Sequence, residues 1–264
     1  MNIEQITKTF LTYVKDNYNL EDSNLKRKYF HSQNVATNAL SIAKSIELDK
    51  DNQELAYVIG LLHDFARFEQ WKLYNTYKDS KSIDHGNFAV ELLINKNKIS
   101  MFDIPKEYYS IISKSIEQHN KKAISSNVVD EKTLLHCKII KDADKLDLYK
   151  LNMKGKLPTF SNKDGMTLQS YESVFNGKLV DDKCLNTKLD RALLNIATAN
   201  DLNFEYSVNK ILEMNFFENM LKTFKKILNE EDTKILIECL DFAKNKATEK
   251  VANLKKEKAS KYAS

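Results

Sequence analysis

Histidine is scarce, at 5 in 264 residues, and four of the five stand where an imidazole could do chemistry. His63 precedes Asp64 at the end of an apolar helical stretch, LAYVIGLLHDFARFEQ. A carboxylate and an imidazole side by side offer a hard oxygen and a borderline nitrogen to one divalent cation, and a helix that ends near Asp64 favours positive charge there. Alone, the pair reads as an ordinary polar couple at a helix end. Three more histidines change its weight: His31 opens an amphipathic helix in RKYFHSQNVATNALSIA, His85 opens another in SIDHGNFAVELL, and His119 closes a third in IISKSIEQHN. Further on, KIIKDADKLDLY places Asp142, Asp144 and Asp147 on a helix whose apolar side is Ile139, Ile140, Ala143, Leu146 and Leu148, so at least one carboxylate faces inward. A buried carboxylate without a partner is costly, and a shared cation removes that cost. The fifth histidine, His136, lies beside Cys137 in the apolar run LLHCKII and reads as a hydrogen-bonded core residue.

Arginine is the other scarce type, limited to Arg27, Arg67 and Arg191, and its planar fork is the better clamp for phosphate oxygens. Arg67 lies three residues past Asp64 and Arg27 one helical turn before His31, so both can point toward the same face or be taken up in salt bridges. Lys145, next to Asp144, and Lys78 and Lys81, in the Lys-rich loop before His85, are weaker candidates of the same kind.

The elements that must position these side chains are helices. Apolar residues recur at helical spacing along most of the chain, as in Ile6, Phe10 and Tyr13, in Val35, Ala39, Ile42, Ala43 and Ile46, and in Leu55, Val58, Ile59 and Leu62. Gly at 5 and Pro at 2 argue against β-sandwiches, barrels and glycine-rich nucleotide loops. A chain of this length buries about 75% of its unfolded surface, so a sizeable core is available. The stretch from Asn152 to Gly165 is the most polar interruption and reads as a loop between helical halves. Lys plus Arg (41) nearly balances Asp plus Glu (37), which gives no support to nucleic-acid or membrane binding. The Lys-rich end, KNKATEKVANLKKEKASKYAS, reads as a solvated, fraying helix. Cys137, Cys184 and Cys239 form no CxxC pair and read as buried apolar groups in a reducing compartment. With no apolar stretch near the roughly 18 residues of a membrane span, the expectation is a soluble cytoplasmic protein.

The order His, His-Asp, His, His, Asp resembles the HD-domain superfamily of metal-dependent phosphohydrolases, over roughly residues 20–150. LLHDFARFEQ is similar to the LLHDIGRFEQ segment of one group of bacterial HD proteins, and DADKLD to the ADRL or ADKL segment that supplies the family's last ligand. The resemblance implies an all-α HD-domain helical bundle over residues 1–150 and a C-terminal helical extension over 151–264 packing on it. It implies His31, His63, Asp64 and Asp144 as the minimal metal ligands, with Asp144 preferred to Asp142 by its place in the Ala-Asp-Lys-Leu match. His85 and His119 correspond to the extra ligands of members that hold two metals. The Ile-Gly that commonly follows the His-Asp pair is Phe65-Ala66 here, which removes no ligand. The implied cofactor is a divalent transition metal, two ions of Mn, Fe, Co, Ni or Zn, with Mg also admissible. The implied partner is a small phosphorylated, nucleotide-like substrate, with no membrane or nucleic acid. Asp64, Arg67 and Lys145 are the candidate catalytic residues, and Arg67, Arg27, Lys78 and Lys81 the candidate substrate contacts. Two other readings use the same ligand order: a mixed-valent di-iron oxygenase of the superfamily, such as myo-inositol oxygenase, and a non-catalytic metal- or nucleotide-sensing module.

Overall fold

The computed structural model describes residues 1–153 and 163–263, and among them helices occur without a single strand, as the apolar periodicity predicts. The chain divides into two compact units, Met1–Asp147 and Leu148–Ser264. No helix of the described residues is long and apolar enough to cross a membrane.

In the first unit, α1 (Ile3–Asn17) buries the stripe Ile6, Phe10 and Val14, and the Asn2 side chain caps it by accepting from the Gln5 N–H. Helix α2 (Ser23–Ser45) starts earlier than its apolar stripe suggests, because Asp22 accepts from the Asn24 N–H and fixes the first turn. His31 therefore stands more than two turns inside α2 and does not open it. Helix α3 (Lys50–Leu62) begins at an Asp49 cap and ends at His63, as expected. Only His63 and Asp64 separate it from α4 (Phe65–Tyr74). His85 opens α5 (His85–Val90) under an Asp84 cap, and His119 closes α6 (Tyr109–His119). Helix α7 (Glu131–Met153) carries the three aspartates. It runs on through Asn152 and Met153, so the expected loop begins later than the composition suggests, and its residues 154–162 lie outside the described ones.

Around the His-Asp junction the core is aromatic. Phe65 stacks on Tyr13 at 5.2 Å between centroids and meets Phe102 edge-on, while Phe68 packs against Phe10. Phe65 and Ala66 are both fully buried, so the departure at these two positions anchors the chain next to Asp64 and displaces no polar group. Burying a phenylalanine side chain contributes on the order of 2 kcal/mol.

The second unit follows with α8 (Leu168–Phe175), α9 (Lys188–Asn200), α10 (Glu205–Glu213), α11 (Phe216–Phe224) and α12 (Glu230–Ala263). Its core includes Leu189, Leu193, Ile196, Val208, Ile211 and Phe216, and Thr187 with Asp190 forms a capping box at the start of α9. The three cysteines are free and buried.

Helices α2 and α3 approach closely at Gly60. A Cβ placed there would lie 2.7 Å from the Ala36 Cα and 2.9 Å from the Val35 carbonyl oxygen, both backbone atoms that cannot swing aside. Alanine gains about 1 kcal/mol of helix propensity over glycine, but forcing two helices apart costs about 1 to 3 kcal/mol. Gly60→Ala should therefore lower the melting temperature by several degrees, as read by thermal denaturation. A variant that melts at or above the wild-type temperature would show that α2 and α3 can relax at this crossing.

Candidate metal centre

Five elements of the first unit bring the predicted residues together. His31 comes from α2, His63 and Asp64 from the α3–α4 junction, His85 from the start of α5, His119 from the end of α6 and Asp144 from α7. His63 is fully buried and Asp64 is 2% exposed, so the pair sits where an ordinary carboxylate would not remain charged. Asp64 Oδ2 lies 3.5 Å from His31 Nε2 and 3.6 Å from His63 Nε2. Its other oxygen, Oδ1, lies 3.6 Å from His85 Nε2 and 3.8 Å from His119 Nε2. Asp144 Oδ1 joins the first side, 3.1 Å from His31 Nε2 and 3.8 Å from His63 Nε2. Two groups with cation-binding geometry, His31–His63–Asp64 and Asp64–His85–His119, thus share one carboxylate.

Every one of these histidines is held through its other nitrogen. His63 Nδ1 donates to the Gly60 carbonyl at 2.8 Å and His119 Nδ1 to the Ile116 carbonyl at 2.6 Å. A carbonyl can only accept, so both rings carry their proton on Nδ1 and turn the Nε2 lone pair inward. His31 Nδ1 is paired with Asp147 Oδ2 at 2.7 Å, and His85 Nδ1 with Asp79 Oδ2 at 2.5 Å. Such carboxylate–histidine pairs are what orient metal-ligating imidazoles.

The residues present fit a cation. His63 Nε2 is buried with no hydrogen-bond partner, and such an orphan costs about 1 to 3 kcal/mol unless something satisfies it. His85 Nε2 and His119 Nε2 approach to 3.0 Å, a contact that a proton or a cation must mediate. Mixed imidazole nitrogen and carboxylate oxygen is a donor set suited to Mn, Fe, Co, Ni or Zn.

Electrostatics prepares the same atoms. Burial pushes His63 down to about 3 and His85 down to about 4, against the pull of nearby carboxylates, so both are neutral near pH 7 as metal ligation requires. His31 goes the other way: burial and Lys28 push it down, but Asp144 and Asp147 outweigh them and raise it. Burial opposes ionisation of Asp64, yet the positive charges of Lys28 and Arg67 hold it well below the usual carboxylate range. Asp144 is likewise held low, with burial overcome by the hydrogen bond and charge of His31.

The candidate cations divide. Arg67 Nη1 donates to Gln70 Oε1 (2.7 Å), the Tyr77 carbonyl (2.8 Å) and Asp79 Oδ1 (2.9 Å), while its Nε stands 3.5 Å from Asp64 Oδ1. It is both salt-bridged and adjacent to the centre. Arg27 is exposed, and the inward place one turn before His31 belongs to Lys28, whose Nζ donates to Asp64 Oδ2 at 2.6 Å. Lys145 is half-buried beside Asp144, and Lys78 and Lys81 are exposed. Asp142 is fully buried and lies on a different face of α7 from Asp144 and Asp147, which stand three residues apart. His136 is a core histidine, with Nε2 at 3.3 Å from Asn52 Oδ1.

Sequence reasoning missed Lys28, Asp79 and the orienting role of Asp147. Lys28 and Asp147 each lie three residues from a ligand on the same helix, a spacing that could have found them. Asp79 opens a single 3-10 turn, Asp79–Lys81, between α4 and α5, too short for any periodicity to mark it.

Compared with models of known families, residues 29–149 match the HD domain. No curated protein and no solved structure matches the chain.

Removing an orienting carboxylate typically costs 10- to 100-fold in metal affinity. Asp147→Ala should weaken binding of Mn²⁺ or Co²⁺ by roughly that factor while leaving all six inward ligand residues in place, as measured by competition with a chromophoric chelator. Unchanged affinity would mean that His31 keeps its orientation without Asp147.

Proposed function

We propose that the chain, whose residues 29–149 match the HD domain, is a metal-dependent phosphohydrolase acting on a phosphate ester or anhydride of a small, nucleotide-like molecule. The observation that carries the reading is Asp64, a buried carboxylate whose two oxygens face two separate sets of histidine nitrogens. His31, His63, Asp64 and Asp144 would hold one divalent ion, and Asp64, His85 and His119 a second. Bound there, such ions lower the pKa of a coordinated water toward about 7 and polarise a phosphoryl oxygen.

The chain's own residues supply the rest. The neutral imidazoles keep their lone pairs free for ligation near neutral pH because burial has already removed the competing proton. Asp147 and Asp79 hold His31 and His85 against rotation. Arg67 has its Nε buried and without a hydrogen-bond partner beside Asp64, so a phosphoryl oxygen entering the centre finds a fixed donor there. Lys145, next to Asp144 on α7, is a second cation for charge that develops on the leaving side. The buried free cysteines support a cytoplasmic setting.

The test is a screen of nucleotides and sugar phosphates against protein loaded with Mn²⁺, Fe²⁺, Co²⁺ or Mg²⁺, read as phosphate release. Release that disappears in Asp64→Ala supports the reading. Metal-loaded protein that releases no phosphate but consumes oxygen with iron would replace it by the oxygenase reading. Within an active system, loss of a charge-assisted hydrogen bond costs about 1.5 to 3 kcal/mol. Arg67→Ala should therefore lower kcat/KM by roughly ten- to a hundredfold with bound metal unchanged. Kinetics equal to wild type would leave Arg67 as the salt-bridge partner of Asp79 alone.

A further inference from the structure

The loop between α4 and α5 carries Tyr77, and three cations surround its ring. Lys28 Nζ lies 5.5 Å from the ring centroid, Arg67 Cζ 5.6 Å and Arg27 Cζ 5.8 Å. The indole of Trp71 packs against the same ring at 4.8 Å between centroids and is itself fixed by donating from Nε1 to Asp22 Oδ2 at 2.8 Å. The ring is thus held from one side by Trp71 and decorated with positive charge. Its hydroxyl is buried and has no hydrogen-bond partner, and the Nε of Arg67, one of the three cations, has none either.

The chemistry of the neighbours says what is missing. Lysine and arginine offer only donors, so they cannot accept the phenol proton. The carboxylates nearby are committed: Asp22 to Trp71 and the Asn24 N–H, Asp79 to His85 and Arg67, and Asp64 to Lys28 and the histidine nitrogens. A buried O–H beside three cations, with no acceptor within hydrogen-bond reach, is completed by an oxyanion, which accepts the phenol proton and meets the positive charge together. Lys28 and Arg67 reach both Asp64 and the Tyr77 ring, so the Tyr77 cluster adjoins the metal centre.

We propose that Tyr77, with Arg27 and Lys28, forms a second anion subsite, and that the substrate is a phosphate anhydride whose second phosphate is gripped there while the first lies at the metal centre. The proposal rests on the phosphohydrolase reading and narrows it: a simple monoester would fill the centre and leave the Tyr77 hydroxyl unpaired. Tyr77 touches the non-reacting phosphate and so determines specificity.

The test uses the Mn²⁺-loaded protein and two non-hydrolysable probes, methylenediphosphonate and methylphosphonate, with affinities measured by calorimetry and metal content checked after each titration. Wild type should bind the diphosphonate more tightly than the monophosphonate. Tyr77→Phe, which keeps the ring and loses only the hydroxyl, should lose roughly tenfold in diphosphonate affinity and nothing toward methylphosphonate, with the same metal content and melting temperature. Arg27→Ala should weaken the diphosphonate in the same direction. If Tyr77→Phe binds the diphosphonate as wild type does, or loses both probes equally, the subsite is overturned while methylphosphonate binding keeps the hydrolase reading. If metal-loaded wild type binds neither probe, both fail together.

Discussion

Asp64 is a carboxylate buried among imidazoles and cations, and the first unit is arranged around keeping it charged. Moving an unpaired carboxylate out of water costs several kcal/mol, and in practice such a group would take up a proton. Here Lys28 holds one oxygen at 2.6 Å and Arg67 stands 3.5 Å from the other, while four histidine nitrogens face the pair. Those positive and polar partners outweigh burial, so Asp64 stays ionised. A charged Asp64 then makes sense of neutral His63 and His85 around it, because a site of anionic oxygens and free imidazole lone pairs is complementary to a cation.

Helix ends explain how the four imidazoles are aimed. The last carbonyls of a helix have no partner within it. His63 and His119 each stand at the end of a helix and reach back three residues to such a carbonyl, Gly60 and Ile116. His31, inside α2, has no free carbonyl within reach, since the interior ones are already taken, and His85 stands at an N-terminus, where N–H groups are free and carbonyls are not. Both therefore need a carboxylate from elsewhere, Asp147 from α7 and Asp79 from the loop. The position of each histidine in its helix thus dictates what kind of group must orient it. Gly60 serves twice, through its carbonyl and through the Cβ it lacks, which lets α2 approach and bring His31 within reach of Asp64.

The loop after α4 links the centre to its surroundings. Arg67 ties Asp79 and the Tyr77 carbonyl to α4, and Gln70 Nε2 donates to Ser82 Oγ and the Ile83 carbonyl. The segment that orients His85 is therefore the segment that presents Tyr77. Fixing the metal side and shaping the substrate side are one task for these residues.

The sequence by itself determined the helical class, because apolar periodicity and the scarcity of glycine and proline are local properties that α-helices follow directly. It also singled out His31, His63, Asp64, His85 and His119, since the scarce histidines on core-facing stripes stand out without knowledge of the fold, whereas Asp144 was distinguished from Asp142 and Asp147 only by the resemblance of DADKLD to one superfamily. The start of α2 was misread because a side-chain cap at Asp22, and not the apolar stripe, begins that helix. Only the tertiary structure decided that Asp64 divides its two oxygens between two histidine pairs, that Lys28 and not Arg27 faces inward, and that Asp79 and Tyr77 belong to the same neighbourhood. Those facts depend on how five elements distant in the chain converge and on the path of an irregular loop, and neither leaves a periodic trace in the residues.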